Sequence, residues 1–121
     1  MSEILDYNEK YRLRTKKFAV AIVLFYANHC KKTEELRVIG KQILRSGTSV
    51  AANFRAFTRG RSSAERYSKM CIVVEEADET QFWLELIDEA GLLEKSSFEH
   101  LKNEIDELVK ILSTSKMNMK K

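Results

Sequence analysis

The chain has 121 residues, with 21 Lys or Arg, 18 Asp or Glu and a formal net charge of +3. Its 44% apolar content, four glycines and lack of proline are typical of a well-packed globular domain and exclude fibres and disordered tails. A chain of this length buries enough surface to fold without a disulfide or a structural metal. Residues 1–121 are therefore predicted to form a single domain.

Three features of the sequence predict where the protein acts. Cys30 and Cys71 lack the spacing of a disulfide framework or a metal site, which favours a reducing compartment. The first six residues show no apolar run after a basic cluster, so no secretory signal is expected. The longest apolar run, residues 18–27, is shorter than the roughly 20 residues of a membrane span. We expect a cytoplasmic protein with no membrane partner.

Helix-favouring residues dominate, and no segment alternates with a period of two, so four helices are predicted. The first two span about residues 7–30 and 34–59, and Thr33 caps the second. Spacings of four and three place seven residues of the second helix on one seam: Leu36, Gly40, Ile43, Gly47, Val50, Phe54 and Phe57. Because two of the seven are glycine, we expect the backbone of a neighbouring helix to approach closely.

The third helix is predicted over residues 63–90. The segment Ser62–Glu65 forms a capping box at its start, and Gly91 is a left-handed cap at its end. Phe82 and Trp83 point about 100° apart on this helix, so one of them must leave the core. Together with the apolar block at residues 20–25, this predicts burial against another subunit.

The fourth helix is predicted over residues 97–115, opened by a second capping box at Ser96–Glu99 and followed by a frayed basic tail at 116–121. Its predicted buried seam consists of Phe98, Leu101, Ile105, Leu108 and Leu112. Short connections between long helices favour antiparallel neighbours. The predicted fold is therefore all-α, an antiparallel up-down-up-down four-helix bundle.

Charge is divided between the second and third helices. The segment from Arg37 to Arg61 contains no acid, whereas the third helix is rich in acids. Five basic residues fall within an arc of about 80° and a length of about 33 Å, and we call them the basic stripe: Arg37, Lys41, Arg45, Arg55 and Arg59.

Two interpretations of the basic stripe remain open. Guanidinium groups at this spacing suit a phosphate backbone, because Arg binds phosphate oxygens with two parallel hydrogen bonds and each neutralised phosphate releases a counterion. Alternatively, Lys41 and Arg45 lie across from Glu76 and Glu79 and form ion pairs within the bundle.

The sequence lacks the motifs of a di-iron site and of a phosphate-binding loop. A di-iron bundle needs Glu three residues before His, but Tyr26 precedes His29 and Ser97 precedes His100. No glycine-rich phosphate loop is present. We therefore expect no enzyme activity, no cofactor and no metal.

Five stretches resemble a bacterial four-helix-bundle family named for 23S rRNA intervening sequences. They are residues 45–46, 49–55 (SVAANFR), 59–67 (RGRSSAERY), 75–86 (EEADETQFWLEL) and 90–92. The resemblance implies a small bundle that commonly forms a homopentamer with a central channel. Some members are encoded within insertions in large-subunit rRNA genes. Related accessory variability proteins of diversity-generating retroelements are basic pentameric barrels that engage a reverse transcriptase and nucleic acid.

The resemblance also assigns polar positions. Ser49, Asn53 and Arg55 match the family's signature in helix two, where we expect Ser49 and Asn53 to make a polar contact between helices. The acidic signature of helix three is matched by Glu75, Glu76 and Glu79. Ala56 stands where relatives usually have an acid. This difference either frees an Arg for an external anion or rearranges an internal ion pair.

Two functional hypotheses follow. The first is a non-enzymatic cyclic homo-oligomer that binds RNA or another nucleic acid without sequence specificity through the basic stripe. The second is a structural scaffold for a protein partner, such as a polymerase, in which the stripe forms internal and intersubunit ion pairs.

Overall fold

The computed structural model describes residues 3–119, which are helical with no strand. A 3-10 turn at Lys95–Ser97 precedes the last of four α-helices. These are α1 (Glu3–His29), α2 (Glu34–Thr58), α3 (Ser63–Glu89) and α4 (Glu99–Met117). None of them, within the described range, combines the length and apolar character needed to span a bilayer.

Local signals set several helix ends as predicted. The Leu36 N–H donates to the Thr33 hydroxyl at 3.2 Å at the start of α2. The Glu65 N–H donates to the Ser62 hydroxyl at 3.0 Å at the start of α3. Gly91 follows α3 with φ of +63°, a conformation that side chains disfavour. The predicted caps at these three positions are confirmed.

The second predicted capping box was wrong. Phe98, rather than Ser96, occupies the N-cap position of α4, and no side chain caps this end. Ser96 and Ser97 lie within the 3-10 turn. Phe98 is only 1% exposed, so burial of its ring in the core fixes this end of the helix and overrides the local capping motif.

Two outer helix ends also differ from the prediction. The first helix begins at Glu3 rather than residue 7, because Glu3 and Asp6 in its first turn suit the positive end of the helix dipole. The fourth helix continues to Met117, which shortens the predicted tail. Of that tail, residues 120–121 lie outside the described residues, as do residues 1–2.

The predicted seams form the core. All seven seam residues of α2 are buried, as are the four predicted seam residues within α4 and Phe98 at its N-cap. From α1 and α3 they meet a further buried set: Phe18, Ile22, Phe25, Met70, Val73, Ala77, Leu84 and Ile87. Each helix therefore presents one apolar face to a shared interior.

Two glycines of α2 lie directly against the α1 side of the bundle, as predicted. A Cβ atom on Gly47 would lie 2.9 Å from Cγ1 of Ile22. A Cβ atom on Gly40 would lie 2.5 Å from the Cβ of Cys30, which follows α1. Both distances are shorter than a carbon–carbon contact of about 3.5–4.0 Å. The helices therefore approach this closely only because these positions lack side chains.

Polar contacts between helices lie within and around this core. The hydroxyl oxygens of Ser46 on α2 and Thr80 on α3 are 2.8 Å apart, and both residues are fully buried. At the rim, the Arg14 guanidinium donates to both carboxylate oxygens of Glu104 at 2.7 and 2.8 Å. Hydrogen bonding to Glu104 raises the pKa of Arg14, which links α1 to α4 as a stable cation.

Candidate nucleic-acid interface

The five side chains of the basic stripe point in different directions around the axis of α2, so the stripe has two edges. At about 100° per residue, Arg37 and Arg55 point in the same direction, whereas Arg45 points about 80° away from both. Lys41 and Arg59 lie between these edges. All five side chains are exposed. The members of the stripe are therefore all exposed but have different neighbours.

Arg45 occupies the edge that faces α3. Its Nη1 lies 3.1 Å from Oε1 of Glu76, and its Nη2 is bound to Glu79. The Nε of Arg45 donates a further hydrogen bond to the side-chain oxygen of Gln42 at 3.3 Å. The predicted ion pairs to Glu76 and Glu79 are therefore present for Arg45. They are not present for Lys41, which has no hydrogen-bond or ion-pair partner in residues 3–119, because its side chain points about 40° away.

Arg37 is also occupied, at the start of α2. Its Nη1 donates to the carbonyl oxygen of Lys31 at 2.9 Å, and its Nη2 lies 3.3 Å from Oε2 of Glu34. These contacts tie the guanidinium to the turn between α1 and α2. Arg37 is thus a structural contact of the turn as much as an exposed cation.

The remaining members of the stripe carry unpaired charge. Within residues 3–119, the side chains of Lys41, Arg55 and Arg59 form no hydrogen bond or ion pair, and we call these three residues the open cations. The resemblance led us to expect that Ala56 either frees an arginine or rearranges an internal ion pair. The structure agrees with the first of these outcomes: Arg55 has no partner in residues 3–119, whereas Arg45 keeps its internal ion pairs.

Two cations outside the predicted set lie beside Arg55. Arg12 and Lys16 of α1 line a cleft of about 160 Å³ together with Arg55. Their four-residue spacing places both on one face of α1. The four-residue spacing of Arg12 and Lys16 is visible in the sequence. Which face of α1 lies beside the stripe is set by the packing of α1 on α2, which the sequence does not show.

The polar pair of the helix-two signature acts within α2. The side-chain amide of Asn53 donates to the Ser49 carbonyl at 3.0 Å and to the Ser49 hydroxyl at 2.9 Å. The expected contact between helices is therefore wrong. Four-residue spacing makes these two residues neighbours on one helix, so they satisfy each other locally.

A larger cavity lies away from the stripe, at the end of the bundle where α1 begins. It has a volume of about 720 Å³, and its wall includes the buried Phe57 and Met70. Arg66 also lines this cavity and donates to the Gly60 carbonyl at 3.0 Å. Among the residues that the structure describes, this cavity therefore combines an apolar wall with the carboxylate of Glu3 and lacks the unpaired cations of the stripe.

Potential reactive groups are dispersed in the described part of the chain. No cluster of three His, Cys, Asp or Glu side chains able to hold a metal ion occurs in residues 3–119. Both cysteines are free, with Cys30 buried and Cys71 partly buried. Burial raises the pKa of the Cys30 thiol to about 11, so this thiol stays protonated near neutral pH.

Each of the four helices exposes at least one large apolar side chain, and those of α1 and α3 test the predicted subunit contact. Phe82 is 48% exposed, whereas Trp83 packs against the core and donates its indole N–H to Glu79 at 3.0 Å. The prediction that one of these two rings leaves the core is confirmed. Within the apolar block of α1, Val20, Val23 and Leu24 are also exposed.

Reversing the charge of Arg45 tests its structural role. We expect Arg45→Glu to lower the free energy of unfolding by about 1 kcal/mol and the melting temperature by about 4 °C. The reason is that a third carboxylate would face Glu76 and Glu79. Lys41→Glu is the matched control, since Lys41 has no partner in the described range. Equal melting temperatures by circular dichroism for the two variants would contradict the assignment.

Comparisons with known proteins agree with this architecture. Residues 9–114 match the family described as 23S rRNA-intervening sequence protein. The fold is similar to a crystal structure, at 1.70 Å resolution, of a protein with unknown function from the S23 ribosomal protein family of Bacteroides thetaiotaomicron VPI-5482. The two share 33% sequence identity with a TM-score of 0.78, over 92% of this chain and 98% of that one. No curated protein sequence matched. The chain belongs to the 23S rRNA-intervening sequence protein family.

Proposed function

We propose that this protein is a non-enzymatic, cytoplasmic RNA-binding protein that contacts phosphates through the open cations of α2. The observation that carries the proposal is that Lys41, Arg55 and Arg59 are exposed and have no partner in residues 3–119. An exposed cation without an internal partner can neutralise a phosphate without first breaking an ion pair. Binding through phosphates carries no base readout, so duplex DNA is bound as well.

This proposal reduces the five predicted phosphate contacts to three primary ones. Arg37 and Arg45 belong to the same stripe, but their internal contacts compete with an external phosphate. Their contribution to binding is therefore smaller than that of the open cations. The five predicted residues divide into three primary contacts and two that chiefly support the bundle.

The proposal includes assembly. Neighbouring helices run antiparallel, and copies of the bundle form a cyclic homo-oligomer, a pentamer by family resemblance. Contacts between Gly40 and Cys30 and between Gly47 and Ile22 support the helix direction, because positions later in α2 meet positions earlier in α1. Exposed Val20, Leu24 and Phe82 supply apolar surface for a subunit contact.

A second candidate function is a scaffold for a protein partner, such as a polymerase. The ion pairs of Arg45 with Glu76 and Glu79 favour it, since they use one edge of the stripe internally. In this alternative the open cations form ion pairs with another subunit or with acidic residues of the partner.

Fluorescence anisotropy separates these functions. Wild-type protein is titrated against a labelled structured RNA and a duplex DNA at 50 and 200 mM salt, beside the Lys41→Glu/Arg59→Glu variant. We expect log affinity to fall linearly with log salt, and the variant to bind at least about tenfold more weakly with a shallower slope. Lys95→Glu/Lys110→Glu is the matched control, because it makes the same charge change at exposed positions outside the stripe.

The result that would overturn RNA binding is specific. If wild-type protein binds neither nucleic acid at 50 mM salt, the scaffold function replaces it. If the control variant loses as much affinity as the stripe variant, overall charge rather than the open cations drives binding.

A further inference from the structure

The cleft between α1 and α2 brings together cations from two helices. Its lining consists of five residues: Arg12, Lys16, Ala51, Ala52 and Arg55. Three of them are basic and none is acidic. The volume of about 160 Å³ is several times the roughly 30 Å³ that a water molecule occupies in the liquid. We infer that this cleft binds a phosphate group, and that in the working protein the group is a phosphodiester of RNA.

Charge in the cleft is available for a ligand. Lys16 and Arg55 are exposed, and their side chains have no hydrogen-bond or ion-pair partner in residues 3–119. Arg12 binds Glu9 through Nε and Nη2, at 2.9 and 2.7 Å, but its Nη1 makes no hydrogen bond in the same range. Glu9 is largely exposed and lies outside the cleft lining. The pair with Glu9 therefore orients Arg12 and leaves one of its donor groups open.

The small side chains of α2 give a phosphate room to enter. Ala51 lies one turn before Arg55, so the two residues share a face of α2, and Ala52 stands beside Ala51. A longer side chain at either alanine would fill the space between the three cations. The cleft thus combines cations on both sides with a short apolar floor, an arrangement that Arg and Lys use to hold phosphate oxygens.

Two further observations favour an RNA phosphate over an isolated anion. Arg59 lies one turn beyond Arg55, about 6 Å further along α2, and has no partner in the described range. Lys41 continues the same exposed surface at the other end of the helix. A polyanion that enters the cleft can therefore follow α2 and meet further cations, whereas a single phosphate uses the cleft alone.

This inference rests on the proposed function for the identity of its ligand, and it adds Arg12 and Lys16 to the interface. The first experiment uses inorganic diphosphate as the probe and follows the arginine Nε–Hε signals by NMR. We expect the Arg12 and Arg55 signals to shift with a common affinity, while the Arg45 signal stays in place because Arg45 is bound to Glu76 and Glu79. Shifts that are equal for all arginines would overturn the cleft.

The second experiment measures binding of a labelled 20-nucleotide oligouridylate by anisotropy. Lys16→Gln/Arg55→Gln is expected to bind about tenfold more weakly at 50 mM salt, with a salt slope shallower by about one to two units. Lys95→Gln/Lys110→Gln makes the same change in net charge at exposed positions outside the cleft and should lose less than about twofold, since it removes no phosphate contact.

A charge-neutral variant separates cleft geometry from charge. Ala52→Leu fills the cleft without altering a charge, and we expect it to weaken the diphosphate shifts and oligouridylate binding at least threefold. Ala64→Leu is the matched control at an exposed alanine of α3. Melting curves establish that each variant is folded. Unchanged binding by both Ala52→Leu and Lys16→Gln/Arg55→Gln would overturn the cleft.

The outcomes distinguish the cleft from the proposed function. If RNA binding depends on Lys41 and Arg59 but not on the cleft variants, the inference fails, and the proposed function stands with Lys41 and Arg59 alone as its primary contacts. If wild-type protein does not bind RNA but diphosphate shifts Arg12 and Arg55, the cleft is a site for free phosphate and the proposed function fails. If neither probe binds, both are wrong.

Discussion

Gly40→Ala should destabilise the protein by about 2 kcal/mol, and lower its melting temperature by about 8 °C, although alanine is the better helix former. The new Cβ atom would lie 2.5 Å from the Cβ of Cys30 and 2.9 Å from its Sγ. Because a Cβ atom is fixed to the backbone, no side-chain rotation relieves this contact. The cost of separating the backbones exceeds the gain in helix propensity of about 1 kcal/mol.

Two variants give this expectation its control. Gly47→Ala should cost less, because its new atom would meet outer atoms of the Ile22 side chain, which can rotate. In a double-mutant cycle, Cys30→Gly should recover part of the stability lost in Gly40→Ala, since it removes the opposing Cβ atom. The free energies of unfolding are measured by urea denaturation. Additive changes in this cycle would show that the Cβ atoms at positions 40 and 30 do not clash.

We expect stability to fall by roughly 2 kcal/mol as pH rises from 9 to 11, because of Cys30. Burial raises the pKa of this thiol from 9.0 to about 11 in the folded protein. The unfolded chain therefore loses the thiol proton at lower pH than the folded protein does. The stabilisation is complete below pH 9 and is lost as pH passes through about 11.

A comparison of slopes isolates this effect. Burial also raises the pKa of Tyr7, which acts in the same direction at alkaline pH. Cys30→Ala keeps the contribution of Tyr7 and removes that of the thiol, so its unfolding free energy should fall less steeply between pH 9 and 11. Parallel slopes for the two proteins by urea denaturation would contradict the assignment to Cys30.

Periodicity predicted the core because burial follows helical geometry directly. The seam of α2 and the seam of α4 both lie where spacings of three and four placed them. Ser46 shows the limit of this pattern. It is buried within the same face of α2 and was not predicted, because a lone serine gives no periodic signal and its partner Thr80 lies on another helix.

Local motifs were less reliable where packing opposed them. The Ser62 box caps α3, but the similar motif at Ser96 does not cap α4, because the burial of Phe98 outweighs one hydrogen bond. Packing between helices also limited what could be predicted of the candidate nucleic-acid interface. The facing of Arg45 and Glu76 was predictable, whereas the cleft beside Arg55 was not, since it depends on how α1 rotates against α2.

The buried hydroxyl pair of Ser46 and Thr80 has a consequence for alignment. A shift of α3 along α2 by one turn, about 5.4 Å, would in one direction bring Leu84 opposite Ser46 and leave the Ser46 hydroxyl without Thr80 in the interior. The same shift would also move Glu76 and Glu79 away from Arg45. The buried hydroxyl pair and the exposed ion pairs therefore favour the same axial position of α3 on α2.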